Sequence, residues 1–450
     1  MSSKHFDLIV LGGGSGGLEA ALHAAQLGLS TALVSNTKIG GRATWGSLLP
    51  SKVWLAAAGE ADHLAKAKDF GFKGELPAFN LEHLRESVMA MSQAASERYL
   101  AELGRVGVQL YFGQGVLLSG RRVSVRVEGE ETCSLSANNI LIATGSGPRF
   151  LPELKPNKDH IIAPRLSPAL PKLPESLIMA GGGVTGSEYA YAFAALGTKV
   201  TILQSNEQLL PRVDEEVSRA FETYLREHYG MEIHKGAAVK SMKQEGNRVL
   251  VETAAGRTYE AEYGFIAIGR KPDLGFAAAL PEGEAPATDK SGAIITDTYG
   301  RTNLEGVYAI GDVTGAPMMA NRAMQQARVA VHHIVEGEQS LVLPGHYIEA
   351  AYTHPPVGQI GDMTPSDDAE ILTRRYDRLL KAYLQRETEG LVKLKVDKRR
   401  GLILGAAAFG PHATDVLGIV QVAMNQDVKY RDLHRMPLAH PSYSEILTVL

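Results

Sequence analysis

Cysteine is almost absent from this chain of 450 residues, which contains only Cys133. A single thiol excludes an internal disulfide, a zinc site built from four cysteines and a CxxC redox pair. Cys133 lies just ahead of an apolar segment, Ile140 to Ala143, that predicts a β-strand. We therefore interpret Cys133 as a packing residue of a sheet.

Long apolar runs and an excess of one charge are also missing. No stretch reaches the roughly 18–20 apolar residues that span a bilayer, and the opening sequence MSSKHFDLIV contains no export signal. The 46 basic residues face 50 acidic ones, and no basic segment is interleaved with aromatic residues. Neither nucleic acid nor an anionic membrane is expected as a partner, and a cytoplasmic protein is expected.

Metal-ligand spacing is a further absence. The 14 histidines show no HxxxH or HxxE pattern that indicates a metal site, so the sequence predicts no metal ligand. What the chain does have is apolar material for folded cores, because 44% of its residues are hydrophobic and 21% are charged. These values predict a globular protein of two to four domains.

The chain contains an internal repeat. Residues 11–36 align without a gap on residues 180–205. Each copy has an apolar strand (Asp7 to Leu11, Leu177 to Ala180), a GxGxxG turn, an alanine-rich amphipathic helix and a second apolar strand. This order predicts the opening of a dinucleotide-binding fold, twice. The fingerprint glycines are Gly12, Gly14 and Gly17 in the first copy and Gly181, Gly183 and Gly186 in the second.

Each glycine of the fingerprint has a physical role. The first permits the tight turn, the second lets the backbone approach a pyrophosphate, and the third lets the helix pack closely on the strand. The helix N-terminus then directs its free N–H groups at the phosphates. Two copies on one chain predict two different dinucleotides.

Three further segments extend the pattern. ILIATGSGPR (140–149) is an apolar strand ending in ATG, and IAIGRKPD (266–273) closes the second nucleotide fold. TNLEGVYAIGDV (302–313) predicts a strand, Val307 to Ile310, that carries Asp312 to its end. There its carboxylate could accept hydrogen bonds from a polyol such as ribitol, or cap a helix.

Together these segments resemble the pyridine nucleotide–disulfide reductase family of dihydrolipoamide dehydrogenase and glutathione reductase. The resemblance runs from about residue 6 to 450 and includes YTHPPVGQIG (352–361). It implies an α/β protein with two Rossmann-like dinucleotide-binding domains and a C-terminal α+β dimerisation domain. The implied FAD domain is 1–150 with 276–343, the NAD(P) domain 151–275 and the dimerisation domain 344–450. FAD, NAD(H) or NADP(H), and a homodimer are implied with it.

The sequence departs from the family at its redox centre. The family segment GGTCxNxGCxPSK corresponds to residues 40–52 with unchanged spacing, but Ala43 and Leu48 occupy the two cysteine positions. A mechanism that passes electrons through an active-site disulfide is therefore excluded, because thiolate attack needs sulfur.

Two pairs of the family's functional residues are kept. Lys52 and Glu188 match an ion pair beside flavin N5, where a lysine favours the anionic reduced flavin. His440 and Glu445 match the HPTxSE segment. In the family this histidine reaches the flavin of the partner subunit and works as acid and base, oriented by the glutamate. Because the partner thiol is gone, the acid–base role of His440 stays open.

The acid that usually bonds the adenosine ribose is missing from both copies. Ser35 and Asn36 stand there in the first, and Gln204 begins the segment in the second. We favour NADH slightly, with NADPH or dual use open, because no basic cluster follows. Arg42 could reach the FAD pyrophosphate or lie on the surface. The full set of implied cofactor-binding residues is Gly12, Gly14, Ser15, Gly16, Gly17, Ser35, Asn36, Gly41, Arg42, Lys52, Gly115, Thr144, Gly145, Ser146, Gly181, Gly183, Val184, Thr185, Gly186, Glu188, Gln204, Val239, Gly269, Arg270, Gly311, Asp312, Met319 and Ala320.

The leading hypothesis is an FAD-dependent NAD(P)H oxidoreductase that reduces a small electron acceptor directly. Ala43, Trp45 and Leu48 form an apolar surface that suits a quinone-like acceptor, and transhydrogenation to NADP+ is a close variant. A second hypothesis is a flavin enzyme acting on a thiol, persulfide or other sulfur substrate with His440. A third is a flavin-bearing pseudo-enzyme with a binding or assembly role. The natural acceptor, the preferred nicotinamide nucleotide and the metabolic pathway are left open.

Overall fold

The computed structural model describes residues 4–75, 77–165, 170–278, 280–281, 283–340 and 345–448. The chain divides into two compact units. The described residues of 1–50, 87–149 and 269–343 form the first, and those of 51–86, 150–268 and 344–450 form the second. The finer division into FAD, NAD(P) and dimerisation domains stays a prediction.

The strands of the described residues are β1 Lys4–Leu11, β2 Thr31–Ser35, β3 Gln109–Phe112, β4 Gln114–Leu118, β5 Arg122–Val127, β6 Glu130–Ile142, β7 Ser146–Pro148, β8 Ile161–Ile162, β9 Ser176–Ala180, β10 Lys199–Leu203, β11 Glu232–His234, β12 Val239–Glu245, β13 Arg248–Thr253, β14 Thr258–Ala261, β15 Tyr263–Ile266, β16 Arg270–Pro272, β17 Val307–Ala309, β18 Glu349–Ala351, β19 Val357–Gly361, β20 Ala369–Arg375, β21 Leu391–Asp397 and β22 Ile403–Phe409.

The α-helices are α1 Ser15–Gln26, α2 Gly41–Trp45, α3 Leu48–Lys66, α4 Leu81–Arg105, α5 Val184–Ala195, α6 Glu215–Tyr229, α7 Ala320–Glu336, α8 Leu380–Gln385, α9 Ala413–Asn425 and α10 Tyr430–His434. Short 3₁₀ helices cover Ala67–Phe70, Gly275–Ala277, Gly311–Thr314, Gly337–Gln339, Tyr376–Arg378 and Ser444–Leu447. No helix in the described part of the chain combines the length and the apolar character that a bilayer span needs.

The first unit is built on a sheet of order β3-β2-β1-β6-β5-β4, with β17 also paired to β6. β1 lies between β2 and β6 and runs parallel to both. Its residues Leu8 to Leu11 are all buried, as expected for a strand covered on both faces. The strand order reverses at β1, so the crevice beyond its carboxyl end is where a ligand binds in such sheets.

Cys133 lies in β6 opposite Val125 of β5 and packs against the apolar core on one face of this sheet. Its interpretation as a packing residue is confirmed.

The second unit repeats the arrangement. Its parallel sheet has the order β11-β10-β9-β15-β8, so β9 takes the place that β1 has in the first unit. The predicted succession of strand, glycine turn, helix and strand is confirmed in both copies, as β1, α1 and β2 and as β9, α5 and β10. The unit also contains an antiparallel sheet β12-β13-β14 and a sheet of order β18-β19-β22-β21-β20. Helix α9 packs on the latter through Val416, Leu417 and Val420.

Candidate active site

The first glycine turn leaves an open, uncapped helix end. Gly12 has φ +112°, and a Cβ added there would lie 2.4 Å from the carbonyl oxygen of Ala143. A Cβ on Gly17 would lie 1.8 Å from the carbonyl oxygen of Gly12. At Gly14, by contrast, a Cβ would meet nothing within 4 Å, and no side chain caps the N-terminus of α1. The turn therefore fits a phosphate group, because its backbone is accessible and its helix N–H groups need an acceptor.

Polar side chains gather around Asp312 in the same unit. Arg42 donates to Asp312 Oδ2 at 3.2 Å and to the Ser146 carbonyl at 2.8 Å. Arg270 donates from Nε to Ser146 Oγ at 2.8 Å and lies 3.7 Å from Asp312 Oδ2, and Ser146 Oγ donates to the same carboxylate. The structure thus brings together four predicted site residues that come from distant parts of the sequence.

Arg42 in this cluster has an unused donor. Its Nε is buried and has no hydrogen-bond partner among the described residues. Burial lowers the pKa of the guanidinium, and Asp312 partly offsets this effect. An unsatisfied buried donor beside a glycine turn is suited to an anionic or polyol ligand, so these residues fit the FAD that the family resemblance implies.

The other predicted residues of the first unit lie in its strands, turns and helix starts. Thr144 Oγ1 donates to the carbonyl of Asp273 at 2.7 Å, and Gly311 N donates to Gln326 Oε1 at 2.9 Å. Ser35 Oγ is engaged with the carbonyl of Thr37 at 2.9 Å. The remainder are Ser15 and Gly16 in α1, Gly41 in α2, Asn36 after β2, Gly115 in β4, Gly145 before β7, Gly269 before β16, and Met319 and Ala320 at the start of α7.

The second glycine turn has the same geometry. A Cβ at Gly181, which has φ +103°, would lie 2.5 Å from the carbonyl oxygen of Ala267, and one at Gly186 would lie 1.9 Å from that of Gly181. Gly183 again faces open space, and no side chain caps the N-terminus of α5, which begins with Val184 and Thr185. This turn fits a second dinucleotide phosphate for the same physical reason.

Gln204 at the end of β10 is turned inward. It is buried, its Oε1 accepts from the backbone N–H groups of Gly182 and Ser205, and its Nε2 donates to the carbonyl of Gln208 at 3.1 Å. Through these hydrogen bonds the Gln204 side chain stabilises the glycine turn. Val239 stands at the start of β12, opposite Thr253.

Lys52 and Glu188 form an ion pair within the second unit. Lys52 Nζ on α3 lies 2.7 Å from Glu188 Oε1 on α5, and the glutamate side chain is only 5% exposed. The same oxygen accepts the backbone N–H of Tyr352 at 2.9 Å, and Lys52 Nζ lies 4.5 Å from the centroid of the Tyr352 ring. Tyr352 is a site residue that sequence reasoning missed. Tyr352 begins the segment YTHPPVGQIG, which resembles a segment of the family without indicating a function for any of its residues.

His440 and Glu445 also meet. His440 Nδ1 and Glu445 Oε1 are 2.8 Å apart, and Glu445 Oε2 accepts the backbone N–H of Ser442 at 2.8 Å. Burial would raise the pKa of Glu445, but the bonds from Ser442 and His440 hold it below its ordinary value. The carboxylate is thus ionised at neutral pH and orients the imidazole, whose side chain is 65% exposed.

Two dinucleotide turns on parallel sheets, with a carboxylate at the end of one sheet, define a flavoprotein oxidoreductase of the two-dinucleotide class. The chain belongs to the pyridine nucleotide-disulphide oxidoreductase family. The family model matches residues 6–327, and the model of the family's dimerisation domain matches residues 347–450. The predicted fold class is thereby confirmed. Members of this family contain FAD and use NAD(P)H, and this chain is an enzyme of that kind.

The relatives carry two different activities in their names. A dihydrolipoyl dehydrogenase of Chlorobaculum tepidum is 31% identical over 98% of this chain and 96% of its own. An NAD(P)H dehydrogenase (quinone) of Mycobacterium tuberculosis is 28% identical over 98% of this chain and 92% of its own. Among solved structures, LpdA from Mycobacterium tuberculosis superimposes with a TM-score of 0.89 at 27% identity, covering 99% of this chain and 98% of that one.

Proposed function

We propose that the enzyme passes electrons from NAD(P)H through FAD directly to a small quinone-like acceptor, without an active-site disulfide. The observation that carries this proposal is the placement of sulfur. Ala43 in α2 and Leu48, the first residue of α3, occupy the two cysteine positions of the family. Cys133 lies in the β5–β6 ladder. The quinone activity in the name of the Mycobacterium relative supports the choice of acceptor.

Residues of both units have roles in this proposal. Bound FAD supplies the two-electron chemistry, and Gly14, Arg42 and Asp312 would hold it. Lys52 contributes a positive charge that Glu188 keeps in place, which favours an electron-rich ligand. The second glycine turn, at Gly183, would hold the NAD(P)H pyrophosphate.

The acceptor site is proposed from the apolar side chains that replace the redox segment. Trp45 is fixed by a hydrogen bond from its Nε1 to the Ile39 carbonyl at 2.9 Å, and Leu48 is 42% exposed. An apolar, partly exposed surface suits a flat hydrophobic acceptor better than a charged one.

Counting electrons tests the absence of a relay. Anaerobic titration of the holoenzyme with NADH or NADPH should end after two electrons per FAD. The Ala43→Cys/Leu48→Cys double variant, which restores the family spacing, is the matched control and should take up four. Uptake of four electrons per FAD by the unaltered enzyme would contradict the proposal.

Acceptor identity is tested by turnover. Stopped-flow comparison of NADH and NADPH, followed by a screen of quinones, NADP+ and low-molecular-weight disulfides, should show the highest kcat/KM for a quinone. A preference for NADP+ would indicate a transhydrogenase.

A second candidate function is turnover of a thiol, persulfide or other sulfur substrate. The intact His440–Glu445 pair favours it, because a thiol loses a proton when it is oxidised and a persulfide gains one when it is reduced. The His440→Ala variant separates the two. Unchanged quinone reduction with lost turnover of a sulfur substrate would favour this second function.

A further inference from the structure

Three ligand atoms of a kind that metal ions bind converge in the second unit. Among the residues that the structure describes, His63, His354 and Glu387 each bring one such atom within 4.8 Å of the others. His354 Nε2 lies 3.6 Å from Glu387 Oε1, and the two imidazole rings are 4.9 Å apart at 77°. The three residues come from α3, from the loop after β18 and from the loop after α8.

We propose that His63, His354 and Glu387 form a binding site for one divalent transition-metal ion of the Zn²⁺ class. Zinc bonds to histidine nitrogen and carboxylate oxygen are about 2.0–2.2 Å long, so neighbouring ligand atoms of a tetrahedral ion lie about 3.4 Å apart. The separation of 3.6 Å between His354 Nε2 and Glu387 Oε1 is already close to this value. Two imidazoles and one carboxylate suit zinc, copper or nickel and leave a position for water.

His354 gives an independent reason to expect a ligand. Its Nε2 is buried and has no hydrogen-bond partner in the described part of the chain. A buried ring nitrogen without a hydrogen bond carries a cost in free energy. A metal ion between His354 and Glu387 would satisfy it.

Hydrogen bonds outside the cluster hold its elements in place. Glu387 Oε2 accepts the hydroxyl of Tyr443 at 2.7 Å, which leaves Oε1 facing the histidines. Asp62, next to His63 on α3, accepts the hydroxyls of Tyr191 and Tyr229, each at 2.7 Å. Such outer partners orient metal ligands and raise affinity.

One neighbour opposes a cation and another favours it. Lys66 Nζ lies 3.7 Å from Glu387 Oε1, so an incoming ion must displace this ammonium. The lysine side chain is 31% exposed and can turn toward solvent. Glu60, one turn before His63, has Oε2 3.9 Å from His63 Nδ1 and adds negative charge. Removal of the positive charge of Lys66 should therefore increase the affinity of the site for a metal ion.

The experiment is calorimetric titration of the tag-free, chelator-treated holoenzyme with Zn²⁺, with Co²⁺ absorption as a second readout. One ion per chain is expected, with a visible Co²⁺ spectrum that has no thiolate band. His63→Ala and Glu387→Gln should each weaken binding at least tenfold. His83→Ala is the matched control. His83 Nδ1 lies 4.0 Å from Glu86 Oε2, an exposed contact like that of His63 with Glu60, and the variant should leave metal affinity unchanged.

Lys66→Met should bind the ion at least several-fold more tightly. Circular dichroism of every variant confirms folding before titration, and none of these residues belongs to the proposed electron route. Absence of saturable binding to the unaltered enzyme would overturn the proposal. So would binding that His63→Ala and Glu387→Gln leave unchanged, or a Lys66→Met variant that binds no tighter.

Discussion

One oxygen of Glu188 accepts two donors of different kinds. Lys52 supplies an ammonium and Tyr352 a backbone N–H, and the carboxylate between them is buried. A buried carboxylate that loses its counter-ion keeps the full cost of desolvation. The pair is therefore a structural requirement of the second unit as well as a proposed functional one.

Lys52→Met should lower the free energy of unfolding by about 2 kcal/mol, less than for a fully buried pair because Tyr352 still donates. Denaturation by urea measures it. Lys240→Met is the matched control, because Lys240 pairs with Glu252 at 2.8 Å but on the surface, and its effect on stability should be much smaller than that of Lys52→Met. Equal losses in the two variants would mean that burial of Glu188 contributes nothing.

Single residues also mark what the sequence could predict. The Lys52–Glu188 and His440–Glu445 pairs were expected from motif spacing, and both form. Tyr352 was missed because its contacts with Lys52 and Glu188, through its ring and its backbone N–H, join segments that are far apart in the sequence. Gln204 was predicted only as a cofactor-binding residue, which stays a prediction; that its side chain braces the glycine turn is an orientation that residue type does not encode.

At the scale of elements, the glycines within each of the two turns differ in whether a side chain would fit at their position. Gly14→Ala and Gly183→Ala place a methyl group in open space, so both variants should fold with unchanged stability. Each methyl group would obstruct a pyrophosphate, so Gly14→Ala should weaken FAD binding at least tenfold and Gly183→Ala should raise the KM for NAD(P)H similarly. Fluorescence titration and steady-state kinetics measure the two effects, and each variant is the control for the other. Loss of FAD from both would refute the assignment of the turns.

The ion pair between Asp362, which follows β19, and Lys395 in β21 predicts that the stability of the protein depends on pH. Asp362 accepts from the buried ammonium of Lys395 at 2.6 Å, and this bond with those from Thr364 lowers the pKa of Asp362 to about 2. Because the pKa is lower in the folded state than the ordinary 3.8, the stabilisation is complete above pH 4 and is lost as the pH falls toward 2.

Asp362→Asn should therefore be less stable at neutral pH, by less than about 1 kcal/mol because the Asp362 side chain is 62% exposed and solvent screens the pair, and its unfolding free energy should change less between pH 4 and 2. Thermal unfolding across that range measures both effects. If the stability of Asp362→Asn depended on pH as that of the unaltered enzyme does, the ion pair would not contribute to the stability of the protein.

Elements were predictable where one local pattern determined them. The repeat predicted β1, α1, β9 and α5 because glycine, alanine and apolar runs each favour one conformation. The sheet of order β18-β19-β22-β21-β20 was not predicted strand by strand, because its pairing of β19 with β22 joins segments that are far apart in the sequence. The His63, His354 and Glu387 cluster escaped for the same reason, since sequence spacing reveals only ligands that share one helix.

At the scale of the whole molecule, the match to a dimerisation domain over residues 347–450 supports a homodimer. Sedimentation should give twice the mass of one chain. If His440 serves the flavin of a partner subunit, as the family resemblance implies, dilution to monomers should abolish turnover of a proton-requiring substrate while FAD stays bound. A fully active monomer would rule out the shared site.

The single cysteine has a consequence for how the enzyme meets chemical stress. Arsenite, mercurials, alkylating agents and peroxides poison dithiol enzymes by attacking the very atoms that carry electrons. Here the lone thiol lies in the β5–β6 ladder, and Ala43 and Leu48 stand at the two cysteine positions of the family. The enzyme should keep its turnover rate at concentrations of these reagents that inactivate family members with the cysteine pair.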